Sequence, residues 1–212
     1  MDKIAVFGTS GRTGKLFTEL VLKEGYKVRA LVRQPVRLSL QHPNLEIMQG
    51  DTSDPIKVEE TIKTTEAVID LIGPGKGSSS DLQRTATRHI LQAMHQNHVK
   101  RLIVLASVPF GVLDSNDKPS LMNKLMLLMA KGLMAGMVED ARGHIDLIKQ
   151  SNLNWTVVRA PRLNDQASQG KYRVGYLDAS TGKDISRVDV AAFMLESLKN
   201  DTYIQQMPLL SN

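Results

Sequence analysis

"VFGTSGRTGK", residues 6–15, sets glycines at 8, 11 and 14 directly behind a short apolar run. That run, Ile4 to Phe7, has the length and composition of a strand, and a helical pattern covers about 12 to 24. Strand, glycine turn and helix in this order make a phosphate cradle. Gly8 permits the tight turn, Gly11 lets a pyrophosphate approach the backbone, and Gly14 lets helix and strand pack closely. The helix start then offers free N–H groups and a partial positive charge to the phosphates. Thr9, Ser10, Arg12 and Thr13 complete the turn as candidate cofactor-binding residues.

Working outward, apolar runs alternate with helical patterns. Further strands are expected at Val28–Val32, Leu45–Met48, Ala67–Ile72, Leu102–Leu105 and Trp155–Val158. Each is rich in Val, Ile or Leu and lacks polar alternation, as in a parallel sheet covered on both faces. Helices are expected near 55–63, 80–97 and 137–151. The alternation predicts an α/β fold, a Rossmann-type doubly wound parallel sheet, in one domain over residues 1–212. Insertions follow strand five (108–136) and strand six (164–184), and the second has room for a short hairpin. Both leave from the carboxyl ends of strands, where open α/β sheets bind ligands.

Strand two speaks to the cofactor. An NAD-preferring site carries an acid about 20 residues past the glycines, gripping the ribose hydroxyls. Here "RALVRQPVR" puts Arg33 in that place. A guanidinium binds a 2′-phosphate where a carboxylate would repel it, so NADP is expected, with Arg12 as a second cation on the same side. The alternative is a surface arginine closing a strand. In "QGDTSDP", Asp51 would accept from the adenine amino group and Thr52 would line that pocket; equally, Asp51 or Ser53 would start the next helix. Gly73, Pro74 and Gly75 in "GPGKG" let the backbone pass close to ribose and phosphate.

Composition narrows the classes. The chain has 212 residues, 42% of them hydrophobic, 23% charged, and no cysteine, which excludes disulfides, thiolate metal sites and cysteine nucleophiles. The net charge of +5 suits an anionic cofactor, while aromatic content of 4% and the absence of long basic runs argue against nucleic acid. Met-Asp-Lys-Ile runs straight into a strand without a secretory pattern, so a cytoplasmic protein is expected. His89, His95 and His98 lack the spacing of a paired metal-ligand face and read as surface residues; no metal is expected.

With "IAVFGTSGRTGK", "VRALVR", "QGDTSD", "VKRLIVLAS", "SNLNWTVVRAPRL" and "ISRVDVAAFML" together, nearly the whole chain resembles the atypical short-chain dehydrogenases/reductases, in the NmrA-like, NAD(P)-binding group. Within that group it is most similar to the flavin reductase/biliverdin-IXβ reductase branch. The resemblance implies Ser107 at the nicotinamide, with Pro161 and Leu163 of "RAPRL" beside the ring. Arg162 would face an anionic substrate, or lie on the surface. His144 is a candidate proton donor, because its helix starts at the site in relatives. Val108, Pro109, Phe110, Arg162 and Met126 are the candidate substrate contacts. The Tyr-x-x-x-Lys acid of the better-known branch is missing: tyrosines stand only at 26, 172, 176 and 203, none with a lysine four residues on.

Two functions are compatible with these residues. One is an NADPH-dependent reductase of a planar conjugated acceptor, a flavin or a linear tetrapyrrole such as biliverdin, in which a flavin is substrate rather than bound cofactor. The other is an NADP(H)-binding redox sensor of the NmrA type. The protein would work as a monomer or weak dimer on a small molecule. The Met-rich stretch Leu121–Met137 is too short and too charged to span a membrane, and reads as a core helix, an interfacial helix or a cover over the acceptor.

Overall fold

The computed structural model describes residues 2–75, 77–108 and 111–212, without the side chain of Arg37. Six strands lie parallel in the order β3-β2-β1-β4-β5-β6: β1 (Lys3–Phe7), β2 (Lys27–Val32), β3 (Leu45–Gln49), β4 (Ala67–Asp70), β5 (Arg101–Ser107) and β6 (Asn154–Ala160). The order reverses between β1 and β4, which opens a crevice at their carboxyl ends. This is a single α/β domain of Rossmann type.

Why both sheet faces are covered is visible in β1. Ile4 and Val6 enter one core with α1 (Arg12–Lys23) and α6 (Arg187–Lys199). Ala5 and Phe7 enter the other, with α2 (Pro55–Ile62), α3 (Leu82–Gln96) and α5 (Ala135–Gln150). Successive side chains point to opposite faces, so a strand buried on both must be apolar throughout. The edge strand β3 departs from the expectation, with Glu46, Ile47 and Gln49 exposed. Asp54, rather than Asp51 or Ser53, caps α2 by accepting from the N–H groups of Ile56 and Lys57. β4 stops at Asp70, two residues earlier than expected, where the Asp70 carboxylate accepts from the Ile72 N–H.

Past β6 the sheet continues. β10 (Leu209–Ser211) runs parallel to β6, and β8 (Arg173–Gly175) pairs antiparallel with β10. β7 (Arg162–Asn164) and β9 (Asp184–Ser186) form a separate parallel pair. The hairpin expected within 164–184 is therefore absent, since β8 pairs with a distant strand. α4 (Leu121–Leu133) meets α5 at 109°, and among the described residues no single helix is long and apolar enough to cross a membrane.

Candidate functional site

A cavity of about 710 Å³ opens at the carboxyl ends of the central strands. Its floor is the turn after β1. Gly8 has φ of +84°, and a Cβ there would lie 2.6 Å from the Leu71 carbonyl. A Cβ on Gly14 would lie 2.0 Å from the Gly8 oxygen, so α1 packs on the turn with no space between. The Gly11 N–H donates to the Gly8 carbonyl at 2.9 Å, and Gly11 is the N-cap of α1 without any side-chain cap. An uncapped helix start lined by Gly11, Arg12, Thr13 and Gly14 thus faces the cavity. Thr9 is buried with its hydroxyl donating to Val6, while Ser10 is exposed. These residues fit a dinucleotide pyrophosphate.

The opposite wall comes from β5, the β6–β7 connection and α5. Ser107 lines the cavity, as do Pro161, Arg162 and Leu163; Gly73 and Pro74 line it from the β4–α3 loop. His144 enters from α5 and is held by two contacts to α3. Asp140, one turn earlier, accepts from the Gln83 and Arg84 N–H groups at 2.9 Å each, capping α3 from outside. The Thr87 hydroxyl lies 3.3 Å from His144 Nδ1. Thr87 is buried, and the direction of its bond to Nδ1 follows the tautomer of the ring. Among the described residues, Nε2 is buried without a hydrogen-bond partner. Burial lowers the His144 pKa to about 4. The ring is neutral near pH 7, and a neutral imidazole carries one N–H.

Other expected contacts lie elsewhere. Arg33 is 71% exposed at the side chain and sits 3.7 Å from Asp51, outside the cavity lining. Asp51 also accepts from the Ser53 N–H, and the Thr52 carbonyl takes a bond from His89, which is half-buried rather than a free surface residue. Gly75 lines a neighbouring cavity of about 350 Å³. Val108 packs in a small core with Leu177 and Leu209, and Met126 is exposed on α4; neither lines the larger cavity. Pro109 and Phe110 lie outside the described residues.

Sequence reasoning missed the ion cluster at the rim. Arg12 from α1 and Arg187 from α6 take the two oxygens of Asp165, at 2.9 and 2.6 Å. Arg12 therefore already faces a carboxylate. Gln83 and Arg187 line the cavity too, and no local pattern marks either, because tertiary packing alone brings α3 and α6 there.

A family model for NAD(P)H binding matches residues 8–201. The chain belongs to the NAD(P)H-binding family. It accordingly binds a nicotinamide dinucleotide. Across 206 residues, 92% of this chain and 71% of the other, the family member is 26% identical to an uncharacterised chloroplastic protein of Arabidopsis thaliana. A short-chain dehydrogenase/reductase from Veillonella parvula, solved in complex with NADP, superposes with a TM-score of 0.81 at 18% identity, covering 100% of this chain and 94% of that one. ChuY of Escherichia coli O157:H7, described as an anaerobilin reductase, superposes with a TM-score of 0.80 at 20% identity, over 99% and 96%.

Proposed function

We propose that the protein is an NADPH-dependent reductase passing hydride to a planar conjugated acceptor, a flavin or a linear tetrapyrrole such as biliverdin. The observation that carries this is continuity: one cavity runs from the glycine turn to Ser107 and His144. Cofactor and acceptor can therefore share it face to face. The nicotinamide supplies the hydride. The chain's own contribution is placement: the α1 start holds the pyrophosphate, Pro161 and Leu163 flank the ring, and His144 Nε2–H donates to a heteroatom of the acceptor. Conjugated acceptors need chiefly orientation, with the proton coming from water, so the missing Tyr-x-x-x-Lys pair is no obstacle. The fold shared with ChuY supports the tetrapyrrole branch of this reading by analogy.

A redox sensor is the second reading, favoured by the neutral state of His144, which has no spare proton to give near pH 7. NADPH oxidation measured with free flavin, biliverdin and quinones separates the two. Turnover with a flat acceptor supports the reductase. Tight NADPH binding without turnover on any of them would replace it with the sensor.

A further inference from the structure

The Met-rich helix α4 is folded without being packed. None of its residues is buried, and its main packing partner is α5. That removes the core reading. The helix is nonetheless a defined one, started by Ser120, whose hydroxyl accepts from the Asn123 N–H. Asn123, Leu127 and Ala130 are half-buried and mark the inner side. At 3.6 residues per turn, the side opposite them carries Leu121, Met122, Leu125, Leu128, Met129 and Leu133. All six are exposed, Leu121 at 84% and Leu133 at 82%. A surface this apolar on a water-facing helix marks a contact with another phase or another molecule.

Charge selects between them. Lys118, Lys124 and Lys131 are exposed, and residues 118–138 contain no aspartate or glutamate. Lys124 and Lys131, seven apart, flank the apolar arc on one side rather than interrupting it. Leucine and methionine can then enter the acyl boundary while the ammonium groups stay at phosphate level. A second copy of this helix would bring lysines towards lysines with no acid on either strip to meet them. We propose that this face of α4 docks on an anionic membrane surface, lying in its plane without crossing it. The end of α4 lines the 350 Å³ cavity, which shares Pro74 and Gln83 with the larger one, so the docking face adjoins the candidate site.

Flotation of the full chain with vesicles tests this. On phosphatidylcholine vesicles containing phosphatidylglycerol, binding should exceed that on phosphatidylcholine alone by at least about tenfold, and fall with added salt. Leu125→Glu/Met129→Glu should abolish flotation, and Lys124→Glu/Lys131→Glu should remove the preference for the anionic lipid. These positions lie outside both cavities, so retained NADPH affinity verifies the fold of each variant. Wild-type protein left unbound at both compositions overturns the proposal, as does undiminished flotation of the first double variant. So does self-association without vesicles that the same variant abolishes, which would assign the face to a second copy.

Discussion

His144 shows how a residue's surroundings decide its chemistry. A histidine with a pKa near 4 carries no spare proton at pH 7, yet the neutral ring keeps one N–H and lines the same cavity as Ser107. His144→Ala should therefore lower kcat/KM for the acceptor by about ten- to a hundredfold, the loss of one buried hydrogen bond, with NADPH affinity unchanged. His144→Gln should recover part of it through the amide N–H. Steady-state kinetics against pH give the sharper check: no ionisation between pH 6 and 8 should belong to this group. A limb with a midpoint near 6.5 that vanishes in His144→Gln would restore the proton donor. Ser107→Ala should slow turnover by less than about a hundredfold, since water supplies the proton. At Arg33, NADPH should bind at least about tenfold tighter than NADH, and Arg33→Asp should abolish the preference. Calorimetry showing equal wild-type affinities would count against it. The exposed guanidinium lies 3.7 Å from Asp51, which is itself 40% exposed at the side chain.

Among the elements, the insertion after β5 is anchored by a buried ion pair that no sequence pattern announced. Arg159 on β6 is fully buried, and its guanidinium takes both oxygens of Asp117 at 2.5 and 3.0 Å. Asp117 also accepts from the Leu177 N–H, and Arg159 Nε donates to the Met207 carbonyl. Asp117 thus ties the insertion to β6 and to the segment following β8, while Arg159 ties β6 to the segment leading into β10. Asp117→Ala leaves the guanidinium buried and uncompensated, so it should cost about 3–5 kcal/mol in urea unfolding. A loss below about 1 kcal/mol would mean that water reaches the pair. α6 shows no clear helical period in its sequence for a related reason. Nine of its residues are buried, including Arg187, Asp189 and Ser197, while Val188 stands exposed, so polarity does not follow the 3.6-residue period. The strands β8 and β10, three residues each, are too short to carry any pattern.

Across the whole molecule, two buried groups pull stability against pH in opposite directions. His144 titrates near 4 when folded and near 6.5 when free, so the unfolded chain binds more protons between those values and stability rises with pH. Asp70 is raised from 3.8 to about 7 by burial, offset in part by the Ile72 N–H; there the folded chain binds more protons and stability falls with pH. Each effect is on the order of 3 kcal/mol when complete, so between about pH 4.5 and 6.5 they nearly cancel. Asp70→Asn should unmask the histidine: stability of that variant should climb steadily over the window in which the wild type stays nearly level. Parallel wild-type and variant curves in denaturant titrations would show that Asp70 ionises normally. Such cancellation is invisible along the chain, because burial belongs to the fold. What the sequence determined by itself was the parallel sheet and the phosphate turn. Strand runs buried on both faces must be apolar throughout, and Gly8 and Gly14 occupy positions where a Cβ would strike backbone, so both are written in local residue types. Only the tertiary structure decided that His144 is neutral, that Asp165 joins Arg12 to Arg187, and that α4 stands exposed. Those outcomes depend on which distant segments exclude water from a side chain, and short-range pattern carries no record of that.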